Sequence, residues 1–448
     1  MNQIVKDKKV AVIGAGAAGL ISAKTLSLAG FNVTVFEKGS CIGGLWNIDN
    51  DNNMSVAYDN LHINTDTFLT ELKDFPFKSG VRDYAHHTEM LEYLESYAKE
   101  FKVDKLIQYK SEITRITSIG SENNPLWKVE VNNEYAGDFT TIVVATGHLH
   151  LPRWPNLPGK FSGSYTHAAS YKNIKPFLDK RVCVIGFGNS ALDIATDLSH
   201  VSLRTVVSAR TGAIIWPKYV FGYPLTRLAG KVQEFRFLPM FLRNKLFKKW
   251  NRLMVKLVWG DLKKYNIHVP EKQAHPISNQ FFLSEVKYGR IIVKSGITLI
   301  EGKKITFADG TTEEFDSLIA ATGYSVEFPF IEQSKLQNND TVLPLYKRVV
   351  PPDMPGLYFV GYFNLDWASN PVYEQQAIWI RNIESGICEL PSKNEMWVEI
   401  NNRQNKVMTK FHKAPRMNLE VEYGPYTKEL RVAQRIKFKQ SRVTFWLP

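Results

Sequence analysis

GAGAAG at residues 14–19 and GFGNSA at residues 186–191 are two copies of one glycine-rich turn. Each copy follows a short apolar run, 9–13 or 181–185, and precedes a stretch with helical spacing. In such a strand–turn–helix unit the first glycine permits the tight turn, the second lets the backbone approach a pyrophosphate, and the third, or an alanine, lets the helix pack on the strand. The helix N-terminus then faces the anion. Two copies predict that one chain binds two dinucleotides.

The residue that ends the next strand differs between the copies and predicts a different nucleotide for each. Glu37 can accept hydrogen bonds from a ribose diol but would repel a phosphate at the ribose 2′ position. The first site therefore suits FAD or NAD. Arg210 offers a planar cation with several donors, which matches a 2′-phosphate. The second site therefore suits NADP.

Strand-like runs that end near glycine recur at 141–146, 317–322 and 357–360 and alternate with helical stretches. This order predicts an α/β fold with doubly wound parallel sheets and two Rossmann-like dinucleotide-binding domains. The tripeptide ATG occurs at 145–147 and again at 321–323. We interpret both as points where the chain crosses between the domains.

The proline-rich stretch 151–159 has the character of a linker, because proline blocks both helix and central strand. It stands directly before the second glycine-rich unit, so we predict an NADP domain inserted in a discontinuous FAD domain. The predicted boundaries are 1–158 for the first part of the FAD domain, 159–320 for the NADP domain and 321–448 for the second part of the FAD domain. A hairpin predicted over 297–307 closes the insert.

Composition narrows the class of protein without deciding the function. The chain has 448 residues, 44% hydrophobic and 22% charged, which is ordinary for a globular protein. Its formal net charge is +12, but no polylysine arm or nucleic-acid motif is visible, so we expect no nucleic-acid partner. Phosphates of two dinucleotides explain part of the basic excess. The sequence contains no uninterrupted run of about 18 apolar residues, so we predict no transmembrane span.

The few cysteines point to a reducing compartment. Cys41, Cys183 and Cys388 are far apart and form no CxxC pair, which argues against a disulfide framework and against a dithiol reductase. Neither histidine pair, 86–87 or 148 with 150, has partners at metal-ligand spacing, so we expect no metal site. We expect a cytoplasmic protein, and a homodimer is one oligomeric state that the sequence allows.

One basic segment falls outside the two-unit scheme. Residues 237–265 hold eight basic residues against one acid, interleaved with leucine and tryptophan at roughly helical spacing. A basic amphipathic helix of this kind can lie on an anionic membrane surface, and peripheral membrane contact is one interpretation. It can equally cover an active site as a lid, or pack on the core with a solvated basic face.

The stretch 161–171 has the form F-x-G-x-x-x-H-x-x-x-Y, between the linker and the second glycine-rich turn. It resembles the fingerprint of the flavin-containing monooxygenases. Further matches cover nearly the whole chain, namely FEKGSCIGGLW at 36–46, DFPF at 74–77, FPF at 328–330 and EQQAIW at 374–379. Related Baeyer–Villiger monooxygenases usually carry tryptophan at the position of Tyr171, so the tyrosine favours the branch that oxygenates nitrogen and sulfur.

The resemblance implies roles for individual residues. Those that would bind FAD are Gly14, Gly16, Gly19, Glu37, Gly44, Leu45, Trp46, Asn64, Thr65 and Gln376. Those that would bind NADP are Gly186, Gly188, Asn189, Ser190, Ser208, Arg210 and Thr211. Asn64, in Leu61-His62-Ile63-Asn64-Thr65, matches the family asparagine that sits beside the flavin and is the implied catalytic residue, although the family usually has serine on both sides of it.

The activity that the resemblance implies is an NADPH- and O2-dependent monooxygenation. NADPH would reduce FAD, oxygen would add to give a C4a-hydroperoxyflavin, and the soft nitrogen or sulfur of a small amine or sulfide would accept one oxygen atom. One alternative is Baeyer–Villiger oxygenation of ketones. Another is a peripheral-membrane NADPH dehydrogenase that passes electrons to a quinone.

Overall fold

The computed structural model describes residues 7–228, 255–268, 275–332, 343–410 and 419–437, with isolated positions 242, 246, 249, 253 and 336. Its framework is a pair of five-stranded sheets in which all neighbouring strands run parallel. The first sheet has the strand order Leu357–Phe359, Thr141–Val144, Lys9–Ile13, Asn32–Phe36 and Ile107–Gln108. The second has the order Ser164–His167, Ser317–Ala320, Arg181–Ile185, Arg204–Ser208 and Ile291–Lys294.

The connectivity of the first sheet confirms that one dinucleotide-binding unit is inserted in the other. Thr141–Val144 and Leu357–Phe359 are adjacent strands of this sheet, with Ile142 opposite Leu357. The whole second sheet lies between them in the chain. Both central strands are buried along almost their full length, as expected of parallel strands covered on both faces.

The two segments that join the units lie side by side. Leu151–Pro152 pairs antiparallel with Tyr324–Ser325. The Arg153 amide donates to Gly323 O at 3.0 Å, and the Thr322 hydroxyl donates to Arg153 O at 2.6 Å. The outgoing and returning chains therefore form one two-stranded junction. The proline-rich linker contributes only two residues of strand to it.

Smaller sheets extend each unit. The predicted hairpin is confirmed, because Ile297–Gly302 pairs antiparallel with Lys304–Phe307. Thr312–Glu314 and Gly159–Phe161 complete that four-stranded sheet. A three-stranded antiparallel sheet consists of Ile113–Ser118, Trp127–Val131 and Glu134–Phe139. Two-residue pairs join Ile215–Trp216 to Ile277–Ser278, Tyr219–Val220 to Tyr223–Pro224, and Asn364–Leu365 to Glu420–Val421.

Helices cover the faces of the sheets. The α-helices within the described residues include Ala17–Ser27, Thr67–Thr70, His87–Glu100, Asn189–Leu198, Phe282–Lys287, Asn370–Glu384, Lys393–Lys410 and Tyr423–Ala433. Short 3-10 turns occupy Gly44–Trp46, Val103–Leu106, Ala168–Ser170, Lys175–Phe177 and Lys263–Tyr265. The helix Ala17–Ser27 packs against Asn370–Glu384, which brings the last part of the chain onto the first glycine-rich unit.

The basic segment 237–265 falls only partly within the described residues. Trp259 is buried in the core of the second unit, which agrees with packing on that core. Three leucines of the segment are 48–66% exposed, namely Leu246, Leu253 and Leu257. Of the positions 237–254, the structure describes only 242, 246, 249 and 253. In the part of the chain that the structure describes, no helix is long and apolar enough to cross a membrane.

Candidate functional site

The first glycine-rich turn is shaped by contacts that a larger residue would block. Gly14 has φ +103°, and a Cβ atom placed on it would lie 2.9 Å from Ala145 O. A Cβ atom on Gly19 would lie 1.8 Å from Gly14 O, so the helix Ala17–Ser27 packs directly on the turn. Gly16 is the N-cap residue of that helix, which has no side-chain cap and no acidic residue in its first turn. Its first amides and its positive dipole end therefore suit a pyrophosphate.

A second glycine-containing element lies against this turn. A Cβ atom on Gly44 would lie 3.0 Å from Gly16 Cα, and the Gly43 amide donates to Ala15 O at 3.1 Å. The turn Gly44–Trp46 is therefore held beside GAGAAG, as the predicted flavin contacts require. Leu45 O in turn accepts a hydrogen bond from Ser55 Oγ at 3.0 Å. Side chains larger than hydrogen at these glycines would fill the cradle between the two elements.

Glu37 lies directly behind the first turn. It is 3% exposed, and its Oε2 accepts from the Ala15 amide at 2.7 Å. Its Oε1 accepts from the Gly39 amide at 2.8 Å and from Asn52 Nδ2 at 3.1 Å. The carboxylate is thus fixed by neutral donors at the end of its strand. An anionic acceptor here is compatible with hydroxyl donors of a ribose and incompatible with a 2′-phosphate.

The second glycine-rich turn repeats the geometry of the first. Gly186 has φ +127°, and a Cβ atom on it would lie 2.3 Å from Ala321 O. Gly188 is the N-cap residue of the helix Asn189–Leu198, which has no side-chain cap and no acidic residue in its first turn. In both units a Cβ atom on the first glycine would come closest to the carbonyl oxygen of the ATG alanine, Ala145 or Ala321. Each ATG therefore has a local packing role beside its turn as well as its place next to the junction.

Arg210 lies two residues beyond the strand Arg204–Ser208, which ends earlier than the sequence predicted, and it is exposed to solvent. Its stem passes Gly296, where a Cβ atom would lie 3.1 Å from Arg210 Cγ. Within the described ranges no carboxylate pairs with its guanidinium, whereas Arg204 on the same strand forms a two-pronged bond with Glu313 at 3.0 Å. The Arg210 donors are therefore available to a phosphate.

The other predicted NADP residues differ in what their side chains do. Thr211 is exposed and Ser190 is half-buried. The Ser208 hydroxyl donates to Ser295 O at 3.0 Å, and Asn189 Oδ1 accepts from the Ser278 amide at 3.2 Å. The last two side chains are thus engaged in shaping the site.

The predicted catalytic residue Asn64 lies on a loop between the two units, with its side chain exposed. The loop is fastened to the rest of the first unit by the Ile63 amide, which donates to Ala85 O at 3.0 Å. Thr65 Oγ1 lies 3.0 Å from Thr70 Oγ1. An exposed amide on a loop fixed at both ends can present a donor to a bound molecule without first breaking an internal hydrogen bond.

Two aspartates of the helix that follows GFGNSA reach across to the preceding part of this loop. Tyr58 OH donates to Asp193 Oδ2 at 2.7 Å, and Asn60 Nδ2 donates to Asp197 Oδ1 at 2.9 Å. Burial raises the pKa of Asp193, against the nearby charge of Lys218, and burial raises the pKa of Asp197 to about 6. These bonds tie the loop 58–66 to the helix Asn189–Leu198 of the second unit.

Gln376 supports the first unit through internal hydrogen bonds. It is fully buried, its Oε1 accepts from the Gly361 amide at 2.9 Å, and its Nε2 donates to Tyr426 OH at 2.7 Å. A Cβ atom on Gly361 would lie 3.4 Å from Ala18 Cβ, so the strand end that Gln376 holds touches the helix after GAGAAG. The side chain thus positions the chain next to the first site.

The fingerprint 161–171 lies at the junction of the units. The His167 ring packs edge to face against Trp154 of the linker and Tyr324 of the returning chain, with ring centres 5.5 Å and 5.4 Å apart. Tyr171 is buried, and its hydroxyl lies 3.4 Å from Asp197 Oδ2. Among the described residues, no group of three His, Cys, Asp or Glu side chains is arranged to hold a metal ion.

Sequence reasoning missed several residues of the site. Asn52 holds Glu37, Tyr58 and Asp193 join the two units, and Lys218 reaches the Asn64 loop. Asn52 is 15 residues from Glu37, while the partners of Tyr58 and Lys218 lie 135 and 155 residues away, so no local motif marks these residues.

Comparisons with known proteins agree with this geometry. The model of the family described as flavin-binding monooxygenase-like matches residues 7–447. A dimethylaniline monooxygenase (N-oxide-forming) 2 of Cavia porcellus is 32% identical over 98% of this chain and 84% of its own length. The flavin-containing monooxygenase 5 of Oryctolagus cuniculus is 32% identical over 93% of this chain and 80% of its own length.

Solved structures share the fold at lower identity. The S-allyl-L-cysteine S-oxygenase of Allium sativum superposes with a TM-score of 0.72 at 24% identity, covering 97% of this chain and 90% of that one. A cyclohexanone monooxygenase solved with ε-caprolactone superposes with a TM-score of 0.71 at 19% identity, covering 95% and 97%. Both belong to the same two-Rossmann-domain architecture.

Proposed function

The chain belongs to the flavin-binding monooxygenase-like family, and on that basis we propose that it is an NADPH- and O2-dependent monooxygenase of small amines and sulfides. The observation that carries the proposal is that the chain has two glycine-rich turns suited to anions, and that the residue after the next strand is acidic in the first unit and basic in the second. Glu37 is buried behind the first turn, and Arg210 is exposed beyond the second. One site then suits FAD and the other NADP.

We assign FAD to the first unit because its contacts fit that group. The uncapped helix start at Gly16 would face the pyrophosphate, and Glu37 would accept from the adenosine ribose. The open cradle between Gly16 and Gly44 leaves room for the cofactor beside the turn Gly44–Trp46. When bound, FAD would supply the activation of O2 and the transfer of one oxygen atom to the substrate.

We assign NADP to the second unit, whose uncapped helix start at Gly188 would receive its pyrophosphate. Arg210 would pair with the 2′-phosphate, and exposed Thr211 is close enough in sequence to add a hydroxyl donor. The domain boundaries at 158/159 and 320/321 are part of this proposal, and they flank the paired segments of the junction.

Asn64 is the residue that we propose to act at the reacting atoms. Its exposed amide lies on a loop bonded to both units, so it can donate to the cofactors without leaving a buried partner unsatisfied. A fixed neutral donor can stabilise developing negative charge and exclude water without supplying a strong acid. A site of this kind needs no paired carboxylates.

The test compares Asn64→Ala with the matched variant Asn60→Ala. The substrate is N,N-dimethylaniline, and NADPH oxidised, N-oxide formed and H2O2 released are measured together. We expect Asn64→Ala to keep NADPH oxidation but divert most electrons to H2O2, since losing one such donor commonly costs a factor of about 100 or more in the step it supports. Asn60→Ala removes one bond between the loop and Asp197 but keeps the Asn64 amide and the bonds at Ile63 and Asp66, so it should release much less H2O2 than Asn64→Ala. Unchanged coupling in Asn64→Ala would refute the assignment.

The same measurement separates the competing activities. Product from thioethers and tertiary amines supports nitrogen and sulfur oxygenation, as the relative of Cavia porcellus forms N-oxides and the Allium sativum enzyme is an S-oxygenase. Esters or lactones from cyclic ketones would support Baeyer–Villiger oxygenation. NADPH oxidation with a quinone, and no oxygenated product, would support a dehydrogenase.

We further propose peripheral contact of the basic segment with anionic membranes. Leu246, Leu253 and Leu257 recur at helical spacing in the sequence and are 48–66% exposed, while Lys249 and Lys256 near them in the chain are exposed. Cosedimentation with phosphatidylserine vesicles at low and high salt tests this, with Leu253→Glu as the variant. Equal recovery of wild type and variant with the vesicles would remove the proposal.

A further inference from the structure

We propose that Lys218 is a positioning residue, which holds the loop bearing Asn64 against the NADP-side unit. This inference rests on the proposed function, because it is Asn64 that gives the loop a role. Lys218 belongs to the segment 218–227, between the second-sheet strands Arg204–Ser208 and Ile291–Lys294. The loop belongs to the first unit, so the contact joins the two.

Lys218 anchors the loop immediately before Asn64. Its Nζ donates to Ile63 O at 3.2 Å and lies 5.0 Å from the centre of the Tyr84 ring. The backbone at Lys218 is fixed as well, because Tyr84 OH donates to Lys218 O at 2.6 Å. Burial lowers the pKa of the ammonium, while the charge of Asp193 opposes that shift. An ammonium withdrawn from water is held where a carbonyl oxygen and a ring face receive it.

The same segment anchors the loop again two residues after Asn64. Thr226 Oγ1 donates to Asp66 Oδ2 at 2.8 Å and accepts from the Asp66 amide at 3.1 Å. Arg227 adds its Nε at 3.5 Å from Asp66 Oδ1 and a bond to Asp83 at 3.0 Å. Asp66 is fully buried and caps the helix Thr67–Thr70. This second anchor is independent of Lys218.

Between the two anchors only Asn64 and Thr65 remain. Holding Ile63 O and the Asp66 backbone therefore sets the direction in which the Asn64 amide points. A residue displaced by about 1 Å can lose much of its effect on a reaction. Removing Lys218 frees one end of this short span while Thr226 keeps the other, so the loop should loosen locally without detaching from the NADP-side unit.

The chain offers a matched control. Lys172 also donates from the second unit to backbone oxygens of the first, namely Ser55 O at 2.9 Å and Ala57 O at 3.1 Å. Its side-chain bonds end at Ala57, and the bond from the Asp59 amide to Lys172 O at 2.8 Å belongs to the backbone, so a side-chain substitution keeps it. Lys172→Met therefore removes the same type of bond between the same two units, without loosening residues 63–66.

The experiment uses the purified full chain with FAD bound and compares wild type with Lys218→Met, Lys218→Arg and Lys172→Met. Hydrogen exchange is followed in a peptide spanning 61–67 and in one spanning 54–60. In parallel, NADPH oxidation, N-oxide and H2O2 are measured with N,N-dimethylaniline. We expect about tenfold faster exchange at 61–67 in Lys218→Met, a several-fold larger H2O2 fraction, and partial recovery of both in Lys218→Arg.

Lys172→Met should speed exchange only at 54–60 and keep the wild-type product fraction. Unchanged exchange at 61–67 in Lys218→Met would overturn the positioning role, and so would an H2O2 fraction equal to that of Lys172→Met. If the wild-type protein oxidises NADPH without forming N-oxide or S-oxide, the proposed function fails. The exchange result then still decides whether Lys218 holds the loop.

Discussion

Replacing Arg210 with alanine should weaken the binding of NADPH far more than that of NADH. The guanidinium is exposed, and in the described part of the chain it has no carboxylate partner, so its removal leaves no buried charge behind. Any loss of affinity then reports the contact with the nucleotide. NADH lacks the 2′-phosphate and should bind the variant as it binds wild type.

The magnitude follows from the kind of bond that is lost. A hydrogen bond to a charged partner contributes about 1.5 to 3 kcal/mol. Because about 1.4 kcal/mol corresponds to a factor of ten, the Kd for NADP+ and the KM for NADPH should rise about 10- to 100-fold. Arg210→Lys keeps a point charge but loses the planar pair of donors, so it should fall between wild type and alanine.

The assay combines titration of NADP+ into the purified protein with steady-state oxidation of NADPH and NADH. Arg204→Ala is the matched control, because Arg204 starts the same strand and binds Glu313 instead of facing the nucleotide. Arg204→Ala should lower thermal stability while preserving the ratio of KM for NADPH to KM for NADH. Equal losses for both nucleotides in Arg210→Ala would show that the residue does not recognise the 2′-phosphate.

Two further predictions test packing and titration. Gly186→Ala places a Cβ atom 2.3 Å from Ala321 O at a positive φ, so it should abolish NADP+ binding while visible absorbance still shows bound FAD. Gly289→Ala also introduces a side chain at a positive φ, but into open space, and should retain NADP+ binding. Loss of NADP+ binding in both variants would contradict the steric argument. The folded-state pKa of Asp197, about 6, lies above its ordinary value of 3.8, so its ionisation destabilises the fold as pH rises between these values. Asp197→Asn should therefore raise the free energy of unfolding by about 1 to 2 kcal/mol near neutral pH and by almost nothing below about pH 4. Thermal unfolding at the two pH values measures this difference. An equal gain at both pH values would refute the titration argument.

The local parts of the fold were predictable because each depends on residues that are close in sequence. The strand, turn and helix of each glycine-rich unit follow from apolar runs and from glycines whose spacing only one turn geometry satisfies. The predicted run 141–146 was two residues too long, since the strand ends at Val144. The Ala145 amide still donates to Ile13 O at 2.9 Å, but the Ala145 carbonyl lies against Gly14 and no longer takes part in the strand pairing. Small residues at a strand end do not reveal that departure.

The site residues were identified by type and by resemblance, but the sequence could not state what their side chains contact. Gln376 was predicted to bind cofactor; in the structure its Oε1 accepts from the Gly361 amide and its Nε2 donates to Tyr426 OH, and its role toward FAD stays a prediction. The cofactor assignments of the remaining residues stay predictions that the variants above test.

By itself the sequence determined that two dinucleotide-binding units exist, that one is inserted in the other, and that an acid, Glu37, follows the second strand of the first unit where a base, Arg210, follows that of the second. Only the tertiary structure decided how the units are joined around Asn64. Tyr58 meets Asp193 across 135 residues, and Lys218 meets Ile63 across 155. Periodicity and turn chemistry act over a few residues along the chain, whereas these contacts form only when two finished units pack together. The position of the Asn64 loop is therefore a property of the interface between the units.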